Sequence, residues 1–358
     1  MEFKVKLIEK YIVKEIFNNF VLSLLAFNLV LMMERILKFS MLLSGVGATL
    51  MDFAGIIVLI QPQLFLLTIP MSLMAAVLFT YGRLKSDNEL TILRTSGMSF
   101  VSISRPVFAF GILCFLLSLF NSFYLGPETA KELRTKITEL ITTKSPRAIR
   151  EGNFYSLFKD VVILVKKKPS EDTLNEIFIY DKRDPTRPCT IFAKEGKISV
   201  YAGTKIGFNL KEGEVYITDE TDITKITFAN YNMILTMTPQ VNSQISELTP
   251  FEVLKRAKET KGEERVQVFL EFHRRLALPL IVLILSALAP SIAFLSKKTG
   301  RLGELSLAMV VFLLYYSSLI YFEKLARTGK LPHYVSGWLP LTALLIFTSV
   351  FFIRALRR

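Results

Sequence analysis

The chain has 358 residues, 51% of them hydrophobic, a mean hydropathy of +0.41 and a formal net charge of +13 at pH 7. Soluble domains already contain about 45–50% apolar residues, so the composition alone excludes little. The excess of 44 Lys and Arg over 31 Asp and Glu would suit a nucleic-acid-binding protein. Many of these cations flank apolar runs, however, which indicates a membrane protein without a nucleic-acid partner. Cys114 and Cys189 are isolated and indicate neither a disulfide framework nor a metal site.

Six apolar runs approach or exceed the length needed to cross the ~30 Å hydrocarbon core of a bilayer. The predicted spans are residues 16–33, 54–81, 101–125, 276–295, 305–321 and 338–353. The first run follows a basic start, as a signal peptide would, but no small-residue cleavage site closes it. We therefore interpret it as a retained span. Pro62 and Pro70 interrupt the second run, and we expect bends there.

Basic residues beside the spans predict the orientation, because Lys and Arg concentrate on the cytoplasmic side. With both termini in the cytoplasm, fourteen cations lie on the inner flanks and seven on the outer flanks. The inner set is Lys4, Lys6, Lys10, Lys14, Arg83, Lys85, Arg94, Arg105, Lys297, Lys298, Arg301, Arg354, Arg357 and Arg358. The outer set is Arg35, Lys38, Arg274, Arg275, Lys324, Arg327 and Lys330. The asymmetry favours cytoplasmic termini, although seven outer cations exceed what the rule leads us to expect.

Residues 128–262 change in character, because short alternating or β-branched runs recur between turn signals. The predicted strands are 154–158, 161–165, 177–180, 190–193, 198–201, 205–210, 214–218, 225–229 and 233–237. An antiparallel sandwich, jelly roll or barrel accommodates such strands. The predicted fold is an α-helical membrane protein with six transmembrane helices and an inserted, jelly-roll-like all-β domain in the periplasm. Spans one to three occupy 1–127, the β domain 128–262, and spans four to six 263–358.

The sequence contains none of the catalytic motifs that we sought. No Gly-x-x-x-x-Gly-Lys-[Ser/Thr] segment occurs, so the chain has no P-loop of its own. His273 and His333 lack zinc-site spacing, and neither a His-Glu-x-x-His segment nor a nucleophile elbow occurs. We therefore predict a chain without catalytic, cofactor or metal sites.

The polar loop from Gly82 to Ser99 is the most informative segment. Ser86 and Glu89 have the spacing of a capping box, and Gly97 fits a helix stop. These features predict a short helix at about 86–96, with Leu90, Leu93 and Arg94 on one face. Such a helix either couples the membrane spans to a cytoplasmic motor protein or connects two spans at the bilayer surface. The residues alone favour neither alternative.

The same loop resembles the one that follows the second span in the LptF/LptG permease family, the membrane subunits of the lipopolysaccharide-exporting ABC transporter. Further segments resemble the family in the same order. They are residues 10–15 (Lys-Tyr-Ile-Val-Lys-Glu), Pro62 and Pro70, residues 271–279, Gly300-Arg301, Tyr315-Tyr316, residues 329–332 and residues 338–340. Residues 289–292 (Ala-Pro-Ser-Ile) depart from the Pro-Leu pair of many members. The F and G types share most of these signatures, and this sequence leans to the F type.

The resemblance implies a permease subunit that extracts lipopolysaccharide from the inner membrane of a Gram-negative bacterium and passes it to a periplasmic bridge toward the outer membrane. It implies three kinds of partner: a paralogous permease in an F–G heterodimer, an LptB-like ATPase dimer that hydrolyses the ATP, and an LptC-like periplasmic protein.

The resemblance also assigns roles to residues. Glu89 matches the acidic position that meets the ATPase, and Arg35 and Lys38 match basic positions that meet the lipid head group. Their spacing of three puts both cations on one helix face, where they would attract lipid phosphates. For Arg274, Arg275, Lys324 and Arg327 we expect only that the side chains reach ordinary phospholipid head groups.

Two alternative classes stay open. One is another permease: an ABC-type lipid or lipoprotein export subunit, or a secondary transporter. Lipoprotein-release subunits usually have four spans, and secondary transporters tend to show inverted repeats and buried charges in their spans. The other class is a non-transporting scaffold whose β domain docks a periplasmic partner, which leaves the loop at 82–99 unexplained.

Overall fold

The structure is a computed structural model of the chain. It describes residues 2–357 apart from 44–47, 149–150, 153, 159, 171, 185–186, 201–204, 219–222, 237–243 and 296–299. The chain divides into two compact units. The first comprises Met1–Glu34, Ile60–Ala130 and Ser243–Arg358, and the second comprises Arg35–Leu59 and Lys131–Asn242.

Helices account for most of the described residues outside the β strands. They are α1 (Glu2–Leu43), α2 (Leu50–Ser86), α3 (Glu89–Thr95), α4 (Phe100–Phe120), α5 (Gly126–Ala148), α6 (Pro250–Glu259), α7 (Gly262–Leu295), α8 (Gly300–Arg327) and α9 (His333–Leu356). A π-helical turn (Asn121–Leu125) joins α4 to α5, and a 3-10 turn (Gln244–Glu247) precedes α6. Within the described residues six helical segments are long and apolar enough to cross a membrane, which confirms the six predicted spans.

Two of the six spans form the centre of the first unit. In α2 and α7 the most apolar window is 78% and 67% buried, whereas in α1, α8 and α9 it is between 17% and 28% buried. Leu73 and Val77 of α2 pack in one core with Ile281 and Leu285 of α7. A helix that is apolar on all sides suits such a central position. The remaining spans therefore present much of their apolar surface outward, as lipid-facing or partner-facing helices do.

The third span continues beyond the predicted domain boundary at 128. Helix runs from Phe100 through the π-helical turn to Ala148, and the first strand begins only at Phe154. The reason is visible in residues 130–140, where Ala130, Leu133, Ile137 and Leu140 are buried at helical spacing. The segment that begins the predicted β domain is therefore helical.

The inserted domain contains one antiparallel sheet, which confirms the predicted β insert. Its described strands are β1 (Phe154–Phe158), β2 (Val161–Lys167), β3 (Thr173–Asp181), β4 (Cys189–Val200), β5 (Lys205–Thr218) and β6 (Ile223–Thr236). Each strand pairs with the next in the chain, so the order is β1-β2-β3-β4-β5-β6. A jelly roll contains Greek-key crossovers. The described strands instead form a meander, which is a simpler topology than the jelly-roll-like one that we expected.

Several predicted short strands merge into long ones. The Lys-Glu-Gly at 194–196, which reads as a turn, lies inside β4. A Cβ at Gly196 would lie 2.3 Å from Cδ1 of Ile177, so a larger residue there would force the Ile177 side chain to move. Glu176 and Glu212 have positive φ values of 53° and 47° within their strands. The predicted strand ends at residues 201 and 237 lie outside the described residues.

Candidate functional site

Helix α3 lies in the loop between α2 and α4, close to where the sequence predicts a helix. The predicted capping box of Ser86 and Glu89 is wrong, because Ser86 is the last residue of α2. The N-cap of α3 is Asn88, which has a φ of 61° and makes no side-chain capping bond. Asparagine tolerates this left-handed conformation better than most residues. A turn of two residues therefore separates α2 from α3.

Helix α3 ends at the helix stop that the sequence predicts at Gly97. This residue has a φ of +85°, and its N–H donates to the carbonyl of Arg94 at 2.9 Å. The N–H of Met98 donates to the carbonyl of Leu93 at 3.2 Å. These two bonds form a Schellman motif, in which glycine takes the left-handed position without strain.

The faces of α3 differ in what they contact. Leu90 is 5% exposed and Leu93 is half-buried, and both pack against the core of the chain's own helical unit. Arg94 is exposed, with its guanidinium carbon 6.0 Å from the ring centroid of Phe294. Ile92, which the sequence analysis did not single out, is 61% exposed. This exposure could have been predicted from helical spacing, because Ile92 does not share the helix face of Leu90 and Leu93.

Arg83 is the centre of a cluster with Tyr11, Glu15, Asp87 and Glu89, here named the Arg83 cluster. Its Nη2 donates to Oε2 of Glu15 at 2.6 Å, and its Nε donates to the other oxygen of Glu15. Its Nη1 donates to Asp87 at 2.9 Å and to Glu89 at 3.0 Å. Nη2 also donates to the hydroxyl of Tyr11. One guanidinium thus joins α1, α2, the α2–α3 turn and α3.

Lys85 ties the same loop to α7. Its Nζ donates to the carbonyls of Ala293 at 3.0 Å and Phe294 at 3.2 Å, in the last turn of α7. Carbonyls at a helix C-terminus have no intrahelical partner, so a cation is favourable there. The ring of Phe294 also packs edge-on against Phe100, at the start of α4, with centroids 4.8 Å apart.

Arg275 lies nearer the other end of α7. Its side chain is 5% exposed and donates to Glu271 at 3.0 Å and to the carbonyls of Ile245 at 2.9 Å and Ser246 at 3.1 Å. It also donates to the carbonyl of Leu248. We name these groups the Arg275 cluster. They hold residues 245–248, which lead into α6, against α7.

Arg274, the neighbour of Arg275 on α7, forms a second ion pair within the protein. Its Nε donates to Oε1 of Glu323 at 2.9 Å and its Nη2 to Oε2, so the pair is bidentate between α7 and α8. Glu323 is 4% exposed. The expectation that Arg274 and Arg275 reach phospholipid head groups is therefore wrong, because both guanidinium groups bond within the protein. Lys324 and Arg327 are exposed.

The two histidines meet although sixty residues separate them in the sequence. Nε2 of His273 lies 3.2 Å from Nδ1 of His333, and Nε1 of Trp338 donates to Nδ1 of His273 at 3.2 Å. The indole N–H only donates, so Nδ1 of His273 accepts and its Nε2 carries the proton toward His333. Trp338 thus donates a hydrogen bond to His273, and His273 donates one to His333. Sequence spacing carries no signal for this arrangement.

Arg35 and Lys38 lie on the same continuous helix, α1, near its end at Leu43. Arg35 is half-buried and Lys38 is exposed. Their spacing of three residues therefore places them on one face, as a continuing helix requires.

The β domain carries a groove of about 800 Å³ across its strands. Leu164, Phe178, Phe192 and Phe228 contribute apolar surface to it. At its margin Lys166 donates to Glu176 at 2.9 Å, and this bond lowers the pKa of the Glu176 carboxyl. The groove combines an apolar floor with a charged edge.

Comparisons with known proteins connect these features. The sequence model described as "Lipopolysaccharide export system permease LptF/LptG" matches residues 10–354. An uncharacterized protein of Rickettsia prowazekii (strain Madrid E) is 26% identical over 317 residues, which cover 85% of this chain and 87% of that protein. The lipopolysaccharide export system permease protein LptF of Escherichia coli (strain K12) is 18% identical over 282 residues, 77% of this chain and 75% of that protein. The LptF of Shigella flexneri has the same identity and coverage.

Proposed function

This chain belongs to the LptF/LptG family of lipopolysaccharide export system permeases, and we propose that it is the F-type permease subunit of an ABC transporter. It extracts lipopolysaccharide from the inner membrane and passes it to a periplasmic bridge. It pairs with a paralogous permease, an LptB-like ATPase dimer that hydrolyses ATP, and an LptC-like periplasmic protein. The observation that carries this proposal is the family match over nearly the whole chain, including the β insert. The LptF relatives support the F type.

We place the termini and α3 in the cytoplasm and the β domain in the periplasm. The distribution of fourteen and seven flanking cations supports this orientation. In this orientation α3 faces the ATPase. Glu89 and Arg94 offer charges to it and Ile92 an apolar contact, while Leu90 and Leu93 hold the helix on the permease.

Arg35 and Lys38 are the proposed contacts for the anionic head group of the lipid. A guanidinium and an ammonium group on one helix face bind phosphate through charge-assisted hydrogen bonds. The groove that contains Phe178 and Phe192 offers an apolar surface for acyl chains once the lipid has left the membrane.

The experiment is lipid release from proteoliposomes that contain this chain, its paralogue and the ATPase. Photocrosslinkers at Ile36 and at Phe192 report lipopolysaccharide at the two proposed contacts. Replacing Arg35 and Lys38 together by Gln should reduce crosslinking at Ile36 and lower release, and Glu at both positions should reduce them further, because like charges repel.

The matched control replaces Lys324 and Arg327 by Gln, since these exposed cations have the same spacing on α8. Undiminished crosslinking in the double Glu variant means that Arg35 and Lys38 contact ordinary phospholipid. If no ATPase co-purifies with the wild-type chain and no lipid is released, the chain is a scaffold and the proposed transport function is wrong.

A further inference from the structure

Two segments that are far apart in the sequence form one cluster in the fold. Tyr11 and Glu15 belong to the start of α1, and Asp87 and Glu89 belong to the loop that holds α3. Arg83 is 68 residues from Glu15 and makes all the ion pairs that the described residues show between them. Tyr11 adds a longer bond, donating to Glu89 at 3.4 Å.

Every N–H of Arg83 has an acceptor. A guanidinium carries five N–H groups in a fixed plane. Nε and one N–H of Nη2 take the carboxylate of Glu15, the second N–H of Nη2 takes Tyr11, and the two of Nη1 take Asp87 and Glu89. Lysine has the same charge but three donors and no planar fork, so it cannot make this set of bonds.

The Arg83 cluster lies where it can influence the position of α1. The apolar window of α1 is only 17% buried, so packing within this chain constrains that helix far less than α2 or α7. Ile12 and Ile16 pack in the core next to the cluster. The hydrogen bonds of Tyr11 and Glu15 therefore add directional contacts to this packing, as does Asn19, which donates to Thr80 of α2 at 2.9 Å.

Helix α3 is short and firmly held, so a displacement of it moves the loop as one piece. The left-handed residues Asn88 and Gly97 fix its two ends, and Leu90 anchors it in the core. Lys85 connects the same loop to α7. The bonds of Arg83 connect this loop to α1, together with the longer bond that Tyr11 donates directly to Glu89.

We propose that Arg83 is a positioning residue that transmits movement of α3 to α1. The inference rests on the proposed function, in which an ATPase moves α3 during its cycle. The side-chain partners of Arg83 lie on α1, in the α2–α3 turn and on α3, and Glu89 is 35% exposed at the side chain. Glu89 thus faces both Arg83 and the surface on which the ATPase would bind.

The test uses the assembled transporter with Arg83→Lys in this chain and Arg105→Lys as the matched control. Arg105 is exposed on α4, and the control makes the same chemical change away from the cluster. We expect Arg83→Lys to retain ATPase association and hydrolysis but to release at least about fivefold less lipid per ATP, which is the lower end of typical coupling between two sites. Arg105→Lys should match the wild type.

A distance measurement separates transmission from folding. Spin labels at Lys10 and Thr91, both exposed, report the separation of α1 and α3 in a Cys189→Ser background, where the remaining Cys114 is buried. The wild-type distribution should be narrow and shift as a unit with nucleotide. Arg83→Lys should broaden it and remove the shift. Should Arg83→Lys not accumulate, Tyr11→Phe and Glu15→Gln remove single bonds of the cluster and should give the same pattern in smaller degree.

Three outcomes overturn the inference. Wild-type release per ATP in Arg83→Lys means that α1 receives no movement through Arg83. Equal loss of ATPase association and of release means that Arg83 only shapes α3. A broadened distribution in a chain whose wild type neither binds an ATPase nor releases lipid means that Arg83 joins two helices without a transport role. Only the last of these also removes the proposed function.

Discussion

Two arginines hold the two ends of the same helical unit in different ways. Arg83 is 31% exposed at its side chain, and its described bonds go to side chains of α1, of the α2–α3 turn and of α3. Arg275, 5% exposed, bonds mainly to backbone carbonyls of one short segment. Side chains can exchange partners by rotation, whereas carbonyls can leave only if their segment moves. The bonds of the Arg83 cluster can therefore adjust while its helices move, whereas the Arg275 cluster holds one segment fixed on α7.

The two clusters are separated by about the thickness of a bilayer. Phe294, whose carbonyl accepts a bond from Lys85 two residues after Arg83, and Arg275 are 19 residues apart on α7, about 28 Å at 1.5 Å per residue. The hydrocarbon core is about 30 Å thick. This separation matches clusters at opposite membrane interfaces, and the side that each one faces would decide which partner it can meet.

The largest expected effect is an all-or-none labelling result that assigns these sides. In a Cys189→Ser background, Lys211→Cys in the β domain should react with an impermeant thiol reagent added from the periplasm, and Ser96→Cys beside α3 should not. Both positions are exposed. In the unmodified chain, burial first and the charge of Asp181 second raise the pKa of Cys189, so its background labelling should be slow at neutral pH. Labelling in the reverse pattern would place the Arg83 cluster outside.

The next largest effect is on stability at Arg275. Arg275→Gln removes the donor to three carbonyls of residues 245–248 and one of the two arginines that pair with Glu271. Breaking a buried ion pair typically costs about 3–5 kcal/mol. We expect a marked fall in thermal stability in detergent and faster hydrogen exchange at residues 245–248. Arg327→Gln, an exposed change, is the control and should change neither. Unchanged exchange at 245–248 would mean that the segment is held by other contacts.

A smaller effect should follow from the hydrogen-bonded histidines near Arg275. Trp338→Phe keeps an aromatic ring, although a smaller one, and removes the donor to Nδ1 of His273. The acceptor is partly buried, and loss of a typical hydrogen bond costs about 0.5–1.5 kcal/mol. The melting temperature should therefore fall less than in Arg275→Gln. An equal or greater fall would show that the aromatic packing, not the hydrogen bond, dominates this site.

The smallest stability effect is expected at the Arg83 cluster. Glu89→Gln keeps the shape of the side chain and removes its charge, and Glu89 is partly exposed. Exposed ion pairs contribute at most about 1 kcal/mol. Thermal stability should hardly change, while association with the ATPase should weaken. A large loss of stability with unchanged association would reverse the contrast between the two clusters.

The spans and the end of α3 could be predicted because their causes are local. A bilayer requires roughly 20 apolar residues in a row wherever the helix later packs. Gly97 ends α3 through its own left-handed backbone conformation. By contrast, Ser86 had the correct spacing for a cap, but α2 continues through it. Strand ends were predicted poorly where Gly196 and Glu212, which resemble turn residues, lie inside long strands.

What the sequence by itself determined is therefore the layout: six spans, a β insert after the third, a short helix in the loop after the second, and the family resemblance that the match over residues 10–354 confirms. Only the tertiary structure decided which charged side chains bond to acceptors within the protein. Arg35, Arg83 and Arg275 all flank apolar runs and look alike in sequence. Arg83 and Arg275 are distinguished by acceptors 68 and 27–30 residues away. A guanidinium bonds to whatever oxygen the fold brings within reach, and that proximity is a property of packing rather than of sequence spacing.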